Sequence, residues 1–139
     1  MADLNTIQNA LANVITTRTG LRTLAQARDQ ISPPIAVILP GNPLILFKDT
    51  MDGTVTISLS VLIVVSDAAP SEKSIRALNQ FLGVGSGESE SIAGAIAADS
   101  TLGGNVHWTE TISVSNYGRI EYAGVPFFGA KINCQLGYI

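Results

Sequence analysis

Charge is scarce in this chain. Only 14% of its 139 residues are Asp, Glu, Lys or Arg, against roughly 25% in an ordinary soluble domain, and the mean hydropathy is positive at +0.32. Such a chain either covers its outside with Ser, Thr, Asn and Gly or hides much of it against partners, because exposed apolar surface without charge is a liability for a free monomer. The eight Lys and Arg form no basic run and the net charge is −3, which removes the electrostatic footprint of a nucleic-acid-binding protein. One cysteine, Cys134, excludes an internal disulfide. One histidine, His107, leaves little for acid–base or metal chemistry. No apolar run approaches the 18 or so residues of a membrane span, and the start, MADLNTIQ, lacks the basic and apolar regions of a signal peptide. A soluble single domain, spanning 1–139 and made in a cytoplasm, is expected.

The most informative stretch that is present is Thr54 to Ser66, TVTISLSVLIVVS. Val55, Ile57, Leu59, Val61, Ile63 and Val65 recur at a period of two, the alternation of a β-strand. On the opposite face Thr54, Thr56, Ser58 and Ser60 are polar, whereas Leu62 and Val64 are not. The second half of the strand is therefore expected to be covered on both faces and the first half to have one face open. At roughly 3.3 Å per residue the run reaches about 43 Å, against a diameter near 40 Å for a domain of this size. It crosses the whole molecule, bends or projects.

Around it the pattern predicts further elements. Leu4, Ile7, Leu11, Val14 and Ile15 make a helical stripe, with Asp3 at the N-cap position and Gly20 as a stop. Leu21 to Ile31 is ambiguous between a short helix and an extended piece, and Ser32, Pro33 and Pro34 then impose an extended or turning backbone. Ile35 to Leu39 and Leu44 to Phe47 read as edge strands or one interrupted strand, since Pro40 and Pro43 lie between them. Asp52 and Gly53 give a hairpin turn. A strict two-residue turn would set Lys48 opposite Ile57 on the apolar face, so a bulge or a longer loop is expected. Ile75, Leu78, Phe81 and Leu82 predict a second helix, and Ser89 to Ala98 a third, weaker one. Val106, Trp108, Ile112 and Val114 alternate with His107, Thr109, Thr111, Ser113 and Ser115 in a second strand. Turn residues come next, at Asn116–Gly118 and Ala123–Gly124. Phe128, Ala130, Ile132, Cys134 and Leu136 then oppose Lys131, Asn133 and Gln135 in a third long strand. The fold class is α+β: an antiparallel sheet with two to three helices on its apolar face.

Candidate chemistry is thin. Gly83, Gly85 and Gly87 in GVGSGES superficially resemble a phosphate-cradling loop, but a helix rather than a strand precedes them and no Lys comes after, so a linker is the better reading. His107 lies on the Thr and Ser face without a second ligand nearby, and Cys134 lies on the apolar face, where a small buried side chain is expected. The scattered acids Asp49, Asp52, Glu72, Glu88, Glu90 and Asp99 suit helix starts and loops. Glu110 shares parity with Trp108 and Ile112, so a regular strand would bury its charge at some cost. It pairs with Arg119 or Lys131, lies at a subunit boundary, or is turned outward by a bulge. No cofactor and no metal are expected, and an enzyme is the least supported class.

Taken in order, Pro33–Pro34, the Thr- and Val-rich strand Thr54 to Val65, the helix Ser71 to Leu82, DSTLGG at Asp99 to Gly104, NYG at Asn116 to Gly118 and AGVPFFGA at Ala123 to Ala130 form a pattern. It resembles the tail terminator proteins of long non-contractile-tailed bacteriophages. Pro126, and the linker at Gly83 to Gly87, depart from that pattern. The resemblance implies an α+β subunit forming a six-membered ring on the head-proximal end of the tail tube, where it stops tube polymerisation and joins the tail to the head connector. Its implied partners are further copies of itself, the tail-tube protein and the connector or stopper protein. Genomic DNA would pass through the lumen without specific binding, and the protein would reside in the virion tail after assembly in the host cytoplasm. Neighbouring head–tail stopper and completion proteins share this style of subunit, and a small dimeric α+β binding module is a further alternative. Asp52, Gly53, Thr54, Thr56, Ser58 and Glu110 are the interface candidates, on the hairpin and the polar strand face.

Overall fold

The computed structural model describes residues 3–26, 30–47, 55–67, 69, 71–83 and 91–138. The long strand, β3 (Val55–Asp67), lies at the middle of a five-stranded sheet. It is flanked on one side by β2 (Ile35–Phe47) and the two-residue β1 (Thr23–Leu24), and on the other by β5 (Val125–Tyr138) and β4 (Trp108–Tyr122). Pairing is antiparallel except between β1 and β2. With three helices beside the sheet among the described residues, the fold class is α+β as expected.

The period-two reading of β3 holds. Ile57, Leu59, Val61 and Ile63 are 0–5% exposed in the main core, where they meet Ala130, Ile132, Cys134 and Leu136 of β5. Leu62 and Val64 turn the other way into a second, smaller cluster with Leu24, Ile35, Val37 and Phe127. That half of the strand is covered on both faces. The polar half is less open than expected: Thr56 and Ser60 are buried and Ser58 half-buried. A short hydroxyl side chain between two paired strands is shaded by its neighbours; Ser60 sits between Leu39 and Asn133.

The helix α1 (Leu4–Thr19) keeps to its stripe, with Ile7, Leu11 and Ile15 buried against the sheet. Leu11 and Ile15 are fully buried, each contributing about 1.5–3 kcal/mol of transfer free energy. The Asp3 side chain accepts the backbone N–H of Thr6 at 2.8 Å and its hydroxyl at 2.9 Å. Those bonds hold the Asp3 carboxyl below its ordinary range. Gly20 ends the helix in the left-handed conformation, φ 75°, its N–H bonded to Thr16 O. The segment left ambiguous in the sequence contributes β1, paired to Ala36 and Val37.

Ile35–Leu39 and Leu44–Phe47, expected as edge strands or one strand interrupted by a loop, form a single strand broken in its pairing by a register shift and flanked on both sides. β2 pairs with β3 through Pro40↔Leu59, shifts register, and resumes at Ile45↔Ile57. Ile57 therefore has Ile45 opposite it, and the strict two-residue register that would have placed Lys48 there is not used. The Asp52–Gly53 turn, with Lys48 and Thr54, lies outside the described residues, as do Gly85 and Gly87.

The helix α2 (Glu72–Phe81) starts at Ser71, whose hydroxyl accepts Ser74 N–H, and buries Leu78 alone of its residues. Ser91 caps α3 (Ile92–Ala98) in the same way through Gly94. The DSTLGG loop then turns on itself. Asp99 Oδ1 accepts Gly103 N–H at 3.2 Å, Leu102, Gly103 and Gly104 take positive φ, and Leu102 drives its side chain into the core at 1% exposure.

Candidate assembly surface

β4 is where the sequence reading and the structure part. Among the described residues it is an edge strand of 15 residues, hydrogen-bonded to β5 on one side only. Its register slips by one residue between Thr111 and Ser113 and again between Ser115 and Gly118. Each slip inserts an extra residue and reverses the parity of the residues beyond it. The expected single apolar face through Trp108, Ile112 and Val114 therefore does not exist. Thr109, opposite Leu136, is buried, whereas Ile112 at the first bulge is 52% exposed and Val114, opposite Ile132, is 47% exposed. Asn116–Gly118, expected as a turn, is the second bulge, with φ 56° at Asn116 and 130° at Gly118. Ala123 and Gly124, at φ 51° and 81°, make the hairpin turn that joins β4 to β5. Two successive positive φ values match the twist of the flanking strands.

The outcome is a set of apolar side chains on an edge strand that nothing else in the described chain fully covers. Ile112, Val114 and Tyr117 are each about half exposed; Val125, equally exposed, begins β5 opposite Tyr122, on the face of Phe127. Tyr117 is held in place: its ring meets Phe128 edge-on at 5.8 Å and its hydroxyl donates to Asn79 Oδ1 on α2.

The register ahead of the first bulge settles Glu110. It lies opposite Gln135 on the polar face and is exposed, so its charge needs no burial. The bulge comes two residues after it rather than beneath it, and flips Val114, not Glu110. Among the described residues the ion pair is Arg76–Glu72 on α2, and neither Arg119 nor Lys131 pairs with Glu110. Of the interface candidates, Thr56, Ser58 and Glu110 do come together. Ser58 and Glu110 flank Gln135 in one row across three strands, and Thr56 lies in the next row beside Gly137 and Trp108. The indole of Trp108 lies directly over Gly137, in the place a Cβ would take.

One row further is a ladder that the sequence reading missed. Ser60 Oγ donates to Asn133 Oδ1 at 3.1 Å, and Asn133 Nδ2 donates to Ser113 Oγ at 3.0 Å and Ser115 Oγ at 3.3 Å. Its signal was present in the alternating Ser residues of both strands, but the pairing became readable only with the bulges in register.

Reactive side chains are remote from any converging site. His107 is exposed, and its backbone N–H bonds Gly137 O at 2.9 Å. Cys134 is 2% exposed, and burial pushes its thiol up to about 12, partly offset by a hydrogen bond from Thr111. Among the described residues no group of three or more His, Cys, Asp or Glu is placed to hold a metal, and no helix is long and apolar enough to cross a membrane. No protein-family model matches the chain, and a search of curated proteins finds no match to it.

Proposed function

We propose that this protein is a non-enzymatic structural subunit of a bacteriophage virion, a tail terminator that forms a ring on the head-proximal end of the tail tube. The observation that carries the reading is the β4 edge, uncovered among the described residues, with its half-exposed Ile112, Val114 and Tyr117. An unpaired strand edge of that length with apolar side chains along it asks for a protein partner. The low charge of the chain and its resemblance to tail terminators favour further copies of the chain as that partner, with tube and connector proteins on the two faces of the ring. The hydroxyl- and carboxamide-rich sheet face, poor in Lys and Arg, suits a ring that lets DNA pass without holding phosphates. A head–tail stopper would present the same edge, and the tube protein distinguishes the two.

The test is native mass against protein concentration, first alone and then with polymerising tail-tube protein. A discrete six-membered species, or a monomer that becomes one on tube ends, is expected, and Val114→Asp should abolish it while leaving the monomer folded. A stable two-fold dimer that ignores tube protein would overturn the reading. A ring that forms but does not arrest tubes would transfer it to the stopper.

A further inference from the structure

The opposite edge of the sheet carries a second, chemically different feature. Between α1 and β1 runs an open cleft of about 590 Å³, a size within the range of ordinary ligand sites. One wall is α1, which presents Asn5, Asn9 and Asn13 to it, one carboxamide every four residues. The other wall is the chain from Thr23 to Gln26, and Ala12 and Leu24 form part of the floor. No charged side chain lines the cleft among the described residues. Gln26 Nε2 donates to Asn5 Oδ1 at 3.0 Å and closes one end.

Three features of this cleft point to the same kind of occupant. First, asparagine is a poor helix former, so three of them on one exposed face are not there for the helix. Second, among the described residues β1 has a neighbour on one side only. Ala36 N–H bonds Arg22 O at 2.8 Å, and strand alternation turns the N–H and C=O of Thr23, a residue that lines the cleft, away from β2. Third, the spacings agree. Residues four apart on a helix rise about 6.0 Å, and residues two apart on a strand about 6.6 Å. A carboxamide offers both a donor and an acceptor, as each peptide group does.

We propose that this cleft binds an extended, uncharged polypeptide segment of a partner, which adds to the outer edge of β1 as a further strand while Asn5, Asn9 and Asn13 hold its backbone. Recognition is of main chain, with β1 supplying the pairing edge and α1 the side-chain contacts. Charged side chains are disfavoured because no countercharge lines the site among the described residues. The inference does not rest on the ring reading, since β1 and β4 lie at opposite edges of the sheet.

The experiment tracks amide and carboxamide NMR signals of the full chain on titration with a terminally blocked hexapeptide of alternating Thr and Val. The comparison probe is the same peptide N-methylated at alternate backbone nitrogens. Expected are shifts at Thr23 and Leu24 and at the side-chain NH₂ groups of Asn5, Asn9 and Asn13, absent with the N-methylated peptide. Asn9→Ala should weaken binding about fivefold, the loss of one hydrogen-bonding group, in a protein that folds at least as well because alanine is the better helix former. Equal binding of the N-methylated peptide, shifts confined to β4, or no shifts at millimolar peptide would each overturn the proposal. Binding of a neutral oligosaccharide in place of the peptide would overturn it too, by naming a different ligand class. Ring assembly is scored separately by native mass, so neither result decides the other.

Discussion

The hydroxyl of Tyr117 donates to Oδ1 of Asn79 at 2.8 Å and so ties the second bulge of β4 to α2 across 38 residues of sequence. α2 buries Leu78 alone of its residues, with Phe81 and Leu82 partly buried against the core, and this bond adds a tie to β4. Tyr117→Phe keeps the ring and removes the bond. An exposed neutral hydrogen bond is worth about 0.5–1.5 kcal/mol, and the variant is expected at the lower end, read as a lowered urea midpoint with an unchanged slope.

Gly137 and Trp108 make a second such pair. Any Cβ at position 137 would enter the indole ring, so Gly137→Ala must displace Trp108 or shift β5. Overpacking of this kind costs about 1–3 kcal/mol. Trp108→Ala in the same chain should return most of that loss, and a double-mutant cycle without coupling would show that the glycine serves some other purpose.

Thr109 predicts a gain. Its Oγ1 is buried opposite Leu136 and has no hydrogen-bond partner. Thr109→Val replaces an unsatisfied hydroxyl by a methyl group of similar size, which relieves a desolvation penalty of about 1–3 kcal/mol. A raised midpoint in thermal and urea unfolding is the expected result, and a lowered one would mean that the hydroxyl is bonded in solution.

For Cys134 the sign is set by burial. Its thiol titrates near 12 in the folded chain and near 8.5 when unfolded, so folding favours the neutral form. The stability it confers is complete below the unfolded value and is lost as pH rises through the folded one. Labelling by a thiol reagent near pH 8 should therefore proceed at the rate of unfolding and not at that of an exposed cysteine. Fast labelling of the native protein would contradict the burial.

What could be read from sequence was local. The Asp3 and Gly20 caps, the alternation of β3 and β5 and the Ala123–Gly124 turn each depend on neighbouring residues, and each was found in place. β4 was misread because its pattern belongs to the register with β5. Two single-residue insertions divide it into three short runs of opposite parity, and alternation counted across them yields a face that does not exist. Asn116 and Gly118 did carry a signal, since both residue types tolerate positive φ, but a bulge and a turn draw on the same residues. The carboxamides of α1 were equally visible, and acquired meaning only when β1 was found beside them.

The ladder from Ser60 through Asn133 to Ser113 and Ser115 is built wholly from neutral groups. Hydroxyls and carboxamides neither take up nor release protons between mild acid and mild alkali, and dissolved salt screens charges rather than bonds of this kind. This strip of the sheet therefore keeps one character in a cell interior, in dilute fresh water and in brine.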